Sequence, residues 1–158
     1  MALTNPVSIV VHREENSAHE SIIEVSERDD PEERTLIENA LRAYNASSAP
    51  PANYLPLRLT IRDSEGTITG GLIGHSSYDW LFISVLIIPE ALRRKGLGRK
   101  LMEQAEKIAR TRNLTGIWLD TFDFQARPFY EKLGFTIFGE LKDHPRGISQ
   151  YWLQKRLH

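Results

Sequence analysis

Apolar positions recur along this chain with two different periods, and the points where the period changes divide it into elements. Val7 to His12 is a short strand-like run followed by the polar segment Glu14 to Glu20, so residues 1–20 read as an N-terminal extension or an extra edge strand. Ile22-Ile23-Glu24-Val25 reads as the first strand of a single domain over residues 21–158. At Asp30-Pro31-Glu32-Glu33 the pattern turns helical. Asp30 can cap, Pro31 suits the first helical position, and Glu33 completes a capping box. Leu36, Ile37, Ala40, Leu41 and Tyr44 then follow at helical spacing, which predicts a helix to about Tyr44 and a loop over Asn45 to Asn53.

Leu57–Arg62 and Thr67–His75 flank the turn signal Asp63-Ser64-Glu65-Gly66 and predict a hairpin. Gly70 and Gly71 inside its second strand suggest a bulge or a close backbone approach. Leu81–Ile88 is a continuous apolar run, the mark of a central strand covered on both faces. After the basic loop Pro89–Lys95 a helix follows, with Leu97, Leu101, Ala105 and Ile108 on one stripe and Met102 and Ala109 beside it. Gly116–Thr121 predicts a strand, Gln125–Leu133 a short helix stopped by Gly134, and Phe135–Leu141 and Ile148–Leu153 the last two strands. The order predicts an α/β (α+β) fold with a largely antiparallel front half and a βαβ unit at its centre.

Composition narrows the function more than the fold. The chain has 158 residues, 41% hydrophobic and 26% charged, which excludes disorder, collagen and coiled coil. A formal charge of −1 argues against a nucleic-acid or anionic-membrane binder, so any basic site is local. The absence of cysteine removes thiol nucleophiles, Cys-ligated metals and disulfides. Five histidines without paired helical spacing offer no metal site. The N-terminal residues show no signal peptide, and no apolar run approaches the ~20 residues of a membrane helix. These features fit a cytoplasmic enzyme or binding module.

The segment richest in chemistry runs from Ile87 to Leu101, where an apolar strand enters a basic, glycine-containing turn that opens an amphipathic helix. The first turn of a helix presents unpaired N–H groups and a partial positive charge, and so favours an anion. Gly96 and Gly98 allow backbone to approach a phosphate, and Arg93, Arg94, Lys95, Arg99 and Lys100 add charge around it. No Gly-x-x-x-x-Gly-Lys-Ser/Thr is present, and Leu101 stands where a dinucleotide motif needs its third glycine. A plain solvated helix start is the alternative.

Arg93-x-x-Gly96-x-Gly98 after an apolar strand resembles the acetyl-CoA pyrophosphate signature of the GNAT superfamily of N-acetyltransferases. Ala126 to Phe135, with Tyr130, Gly134 and Phe135 in place, is similar to that family's Ala-x-x-x-Tyr-x-x-x-Gly-Phe segment. Leu119-Asp120-Thr121-Phe122-x-Phe124-Gln125-Ala126 looks like one bacterial subgroup. The resemblance implies a mixed, mostly antiparallel sheet of six to seven strands with flanking helices. Its fourth and fifth strands, here Leu81–Ile88 and Gly116–Thr121, would splay. Acetyl-CoA would lie in the splay, its pantetheine arm on the backbone of Leu86, Ile87 and Ile88 and its pyrophosphate on the amides of Arg94, Lys95, Gly96, Leu97, Gly98 and Arg99. Asp123 stands at a CoA-contacting position where the family often has Asn.

The reaction implied is direct attack of an amine on the thioester, with Tyr130 as acid for the departing thiolate. A packed aromatic beside Phe129 and Leu133 is the other reading of Tyr130. Asp120, ending an apolar strand at the splay, is the best candidate base; a turn-capping carboxylate, a relay through His75 or His144, and a water wire remain open. Tyr44, Tyr78, Trp80, Phe82, Trp118 and Phe122 read mainly as core, one or two as lining for a cationic acceptor. The leading function is therefore N-acetylation of a small-molecule primary amine. A protein lysine or N-terminal amine acceptor, and a non-catalytic acyl-CoA-binding regulatory module, are the alternatives. Exposed edges at the N-terminal strand or the last hairpin offer a homodimer contact.

Overall fold

The structure is a computed structural model that describes residues 23–157. The run Val7–His12 and Ile22 lie outside the described residues, and Ile23 to Val25 form no strand, contrary to expectation. Contacts divide the chain after Ala49 into two compact units. In the first, α1 spans Pro31–Ser48. The Asp30 carboxylate accepts from the N–H groups of Glu32 at 2.9 Å and Glu33 at 3.1 Å, which gives the expected cap; among the described residues the return bond from Asp30 N–H to the Glu33 carboxylate that would complete a capping box is not made. The helix passes the expected end at Tyr44 because nothing breaks it before Pro50, which holds Ala49 extended (φ −137°, ψ 160°).

The second unit contains a six-stranded sheet in the order β1-β2-β3-β4-β6-β5. Its strands are β1 Leu55–Arg62, β2 Ile68–Ser77, β3 Trp80–Ile87, β4 Gly116–Phe122, β5 Thr136–Leu141 and β6 Gln150–Arg156. Neighbours pair antiparallel except β3 and β4, which are parallel and joined through the 15-residue helix α2, Leu97–Thr111. This is the expected mixed, mostly antiparallel sheet with its βαβ unit at the centre. The short helix α3, Arg127–Glu131, follows β4.

Local chemistry accounts for the register. Asp63 accepts from the N–H groups of Glu65 and Thr67, and Gly66 takes φ +84°, closing the β1–β2 turn. Gly71 lies so close to β1 that a Cβ there would stand 2.1 Å from the Leu59 carbonyl oxygen, and the register of the pair shifts between Ile61 and Arg62. The expectation of a bulge and a close approach is met in one place.

Met102, Ala105 and Ala109 of α2 pack on Leu57, Leu72, Leu81, Ile83, Ile117, Leu119 and Leu153 of the sheet. The small residues Ala105 and Ala109 bring the helix axis close, and this turns Leu101 and Ile108 to the flanks of the contact rather than its centre. Two expectations fail here. β3 is not covered on both faces, since Ser84, Val85 and Ile87 are exposed where β3 loses its β4 partner. Trp80, Phe82, Trp118 and Phe122 are half-buried rather than core, because they alternate with the residues that face α2. Phe82 and Trp118 stack at 4.1 Å on that other sheet face.

Candidate active site

β3 and β4 pair only from Trp80↔Gly116 to Ile83↔Leu119. Beyond that point β2 still holds β3 as far as Ile87, and β6 still holds β4 as far as Phe122. Each strand follows its outer partner, so the two diverge and leave their inner backbone edges without a strand between them. A register shift between Ile73 and Gly74 on β2 places Ser84 in a bulge, its hydroxyl donating to the Ile73 carbonyl at 3.2 Å. The crevice that opens has a volume of about 980 Å³ and is continuous with the start of α2 and with α3.

One end of the crevice is formed by the turn and first residues of α2. Lys100 N–H bonds to the Gly96 carbonyl at 3.0 Å, and among the described residues no backbone carbonyl takes the N–H groups of residues 94–99. Arg93, Arg94 and Arg99 stand around those amides. Arg93 uses Nε to bind the Ile88 carbonyl at 3.1 Å, which fixes the guanidinium at the strand end and leaves its terminal nitrogens for a ligand. Gly96 takes φ +79° with open space where a Cβ would be, so it serves the turn. Gly98 is different: a Cβ there would meet the Phe129 ring at 3.2 Å. An extended arm with two strand edges beside it, ending in a phosphate at a helix start, fits this shape.

Asp120 and Tyr130 line the same crevice. Thr121 and Gln125 close the turn from β4 into α3, with the Gln125 Oε1 accepting from Phe122 N–H at 2.9 Å and from the Thr121 hydroxyl at 3.1 Å. That turn delivers Tyr130, only 7% exposed, between Phe129 and Phe135 with ring centroids 5.1 and 6.0 Å away. Among the described residues the Tyr130 hydroxyl has no hydrogen-bond partner, and no fully buried polar side-chain atom lacks one. The ring is therefore packed while its hydroxyl opens on the crevice. Burial, and next the negative charge of Asp120, push the Tyr130 phenol up to about 12. Asp120 lines the same crevice, and its Oδ2 accepts from Gln150 Nε2 at 2.7 Å.

Of the residues singled out from the sequence, Asp120, Tyr130, Leu86, Ile87, Ile88, Arg93, Arg94, Gly96, Leu97, Gly98 and Arg99 all line this one crevice. Lys95 and Asp123 do not. Asp123 instead accepts from Ser149 N–H at 3.2 Å and donates its own N–H to the Ser149 carbonyl at 3.0 Å, tying β4 to the final hairpin. His75 lies between Tyr54 and Phe82, and His144 sits 6.0 Å from Phe122; neither lines the crevice. Phe124, Phe129 and Lys132 line it without having been singled out, since a turn and a five-residue helix carry no periodicity that would orient them.

Comparison with known proteins agrees with this geometry. The family model for the acetyltransferase (GNAT) family matches residues 15–135. An acetyltransferase of Agrobacterium fabrum is 39% identical over 127 residues, covering 80% of this chain and 93% of the relative. The blasticidin-S acetyltransferase of Streptomyces morookaense is 35% identical over 120 residues, 75% of this chain and 88% of its own. A crystal structure of an acetyltransferase from Agrobacterium tumefaciens superposes with a TM-score of 0.79 at 37% identity, over 84% of this chain and 97% of that one. With a parallel pair splayed at the centre of its sheet and most of its length matched, this chain belongs to the GNAT family of acetyltransferases and is an acyltransferase enzyme.

Proposed function

We propose that this enzyme uses acetyl-CoA to acetylate a primary amine of a small molecule. The observation that carries the reading is the convergence of the helix-start anion seat and the Asp120–Tyr130 pair on one crevice. The blasticidin-S acetyltransferase relative supports a small-molecule rather than a protein acceptor. Acetyl-CoA supplies the activated thioester. The amides and arginines at the start of α2 hold its pyrophosphate, and the inner edges of β3 and β4 hold the extended arm.

A lysine-like amine has a pKa of ~10.4, so near pH 7.4 its neutral form costs about 4 kcal/mol. Asp120 takes that proton and frees the lone pair; the nitrogen then bonds the carbonyl carbon, the carbon–sulfur bond breaks, and the second nitrogen proton passes to the departing sulfur, leaving CoA as the thiol and Tyr130 protonated. Tyr130 faces the departing sulfur. With its phenol at about 12 it is always protonated at physiological pH, and it acts first as a hydrogen-bond donor to the thiolate. Full transfer to a thiolate of pKa ~8.5 is uphill by about 5 kcal/mol while Asp120 is charged. Proton capture removes the negative charge that helps raise the phenol, so base and acid work in sequence.

Release of free CoA with a panel of amines that includes blasticidin S, alongside lysine peptides, tests the reading. Asp120→Asn is expected to lower kcat by 10²–10⁴ with acetyl-CoA affinity unchanged. An Asp120→Asn enzyme as fast as wild type assigns the base elsewhere. Acetylation of peptides in preference to every small amine overturns the substrate class.

A further inference from the structure

We propose that Gln150 is the positioning residue of the acceptor side, holding Asp120 by one oxygen so that the other meets the incoming ammonium. The inference rests on the role given to Asp120 above.

In the antiparallel β4–β6 register Gln150 stands opposite Phe122, and Asp120 opposite Trp152. Gln150 is therefore diagonal to Asp120, and its side chain spans the gap to donate from Nε2 to Oδ2 at 2.7 Å. An ionised carboxylate only accepts, so the amide must present its NH₂ to it. The base of that side chain is held on both sides. Gln150 pairs with Phe122 on β4 and with Leu141 on β5, and the residue before it, Ser149, is bound to Asp123 through both backbone groups and to Glu140 Oε1 through its hydroxyl at 2.9 Å.

The chemistry of the partner matters as much as its placement. An arginine or lysine in the place of Gln150 would cancel the charge of Asp120 and reduce its attraction for an ammonium. A glutamine orients the carboxylate and leaves the full negative charge available. The arrangement favours an acceptor that arrives as a cation and gives up its proton in the site.

The test uses the full chain with blasticidin S and 2-phenylethylamine as probes. Gln150→Met keeps length and removes the donor; Gln150→Glu places a second carboxylate against Asp120. For Gln150→Met, kcat/KM for the amine is expected to fall about tenfold to a hundredfold, the scale of one hydrogen bond to a charged group. The KM for acetyl-CoA and the thermal midpoint should stay put, and Gln150→Glu should fall further than Gln150→Met. In an Asp120→Asn background Gln150→Met should cost almost nothing more, because its effect passes through Asp120. Equal amine kinetics for wild type and Gln150→Met overturn the inference while leaving Asp120 standing if Asp120→Asn is still impaired. A fall in acetyl-CoA affinity or in the thermal midpoint that matches the loss of activity shows a merely structural role. A wild-type enzyme that acetylates neither probe counts against the small-amine reading and, with it, against this one.

Discussion

Tyr130 shows how one side chain meets two demands. Its ring fills the space between Phe129 and Phe135, and its hydroxyl faces the crevice without a protein partner. Tyr130→Phe retains the packing and removes the proton, so kcat should fall by 10²–10⁴ while acetyl-CoA affinity and the neutral-pH thermal midpoint hold. A large loss of stability with kcat intact would make Tyr130 a packing residue only. The alkaline range supplies a second check. The folded-state value of about 12 lies above the unfolded value of ~10, so this stability is fully present below pH 10 and is lost as pH rises through 12. The loss, about 3 kcal/mol, should be visible in denaturant titrations of wild type and missing in Tyr130→Phe. Within pH 6–10 the activity profiles of the two should run parallel, because the phenol does not ionise there.

At the scale of the element, the start of α2 joins fold to function. The helix begins directly after Gly96, whose φ of +79° makes the turn, and residues 96–99 line the crevice. Gly98, two residues on, stands against Phe129 and Ile88. The two glycines should fail differently. Gly96→Ala strains the turn and should cost about 1–2 kcal/mol of stability. Gly98→Val puts bulk where the anion and the Phe129 ring meet, and should weaken acetyl-CoA and free CoA by the same factor of ten or more in calorimetry. If Gly98→Val folds and binds both ligands as wild type does, the phosphate seat is not at this helix start.

For the whole molecule, the splay leaves the inner backbone edges of β3 and β4 unpaired with each other beyond Ile83 and Leu119. A ligand bound there should add to the stability of the native state by mass action, about 2.7 kcal/mol at a hundredfold excess over its dissociation constant. For a chain of this size that is roughly 5–10 °C in thermal midpoint. Acetyl-CoA at millimolar concentration should produce that shift, with hydrogen-exchange protection at Ser84 to Ile87 on β3. No shift and no calorimetric heat would remove acetyl-CoA as the donor.

The amino-acid sequence by itself determined those features whose cause is local. The α1 cap at Asp30, the β1–β2 turn, the glycine turn before α2 and the stop at Gly134 each follow from a residue and its immediate neighbours. The crevice wall around residues 86–99 was legible for the same reason, because it is a strand end, a turn and a helix start contiguous in the chain. What depended on distant pairing was not legible. The parting of β3 and β4 was expected only through the family resemblance; the exposure of Ser84, Val85 and Ile87 that comes with it arises because β4 follows β6 away from β3, and no residue within β3 signals that. Asp123 leaves the crevice because Ser149, far along the chain, captures it, and Gln150 reaches Asp120 only through the β4–β6 register. Periodicity reports which face of an element is apolar. Which partner fills that face, and which carboxylate a distant amide holds, is decided by the register of strands far apart in the chain.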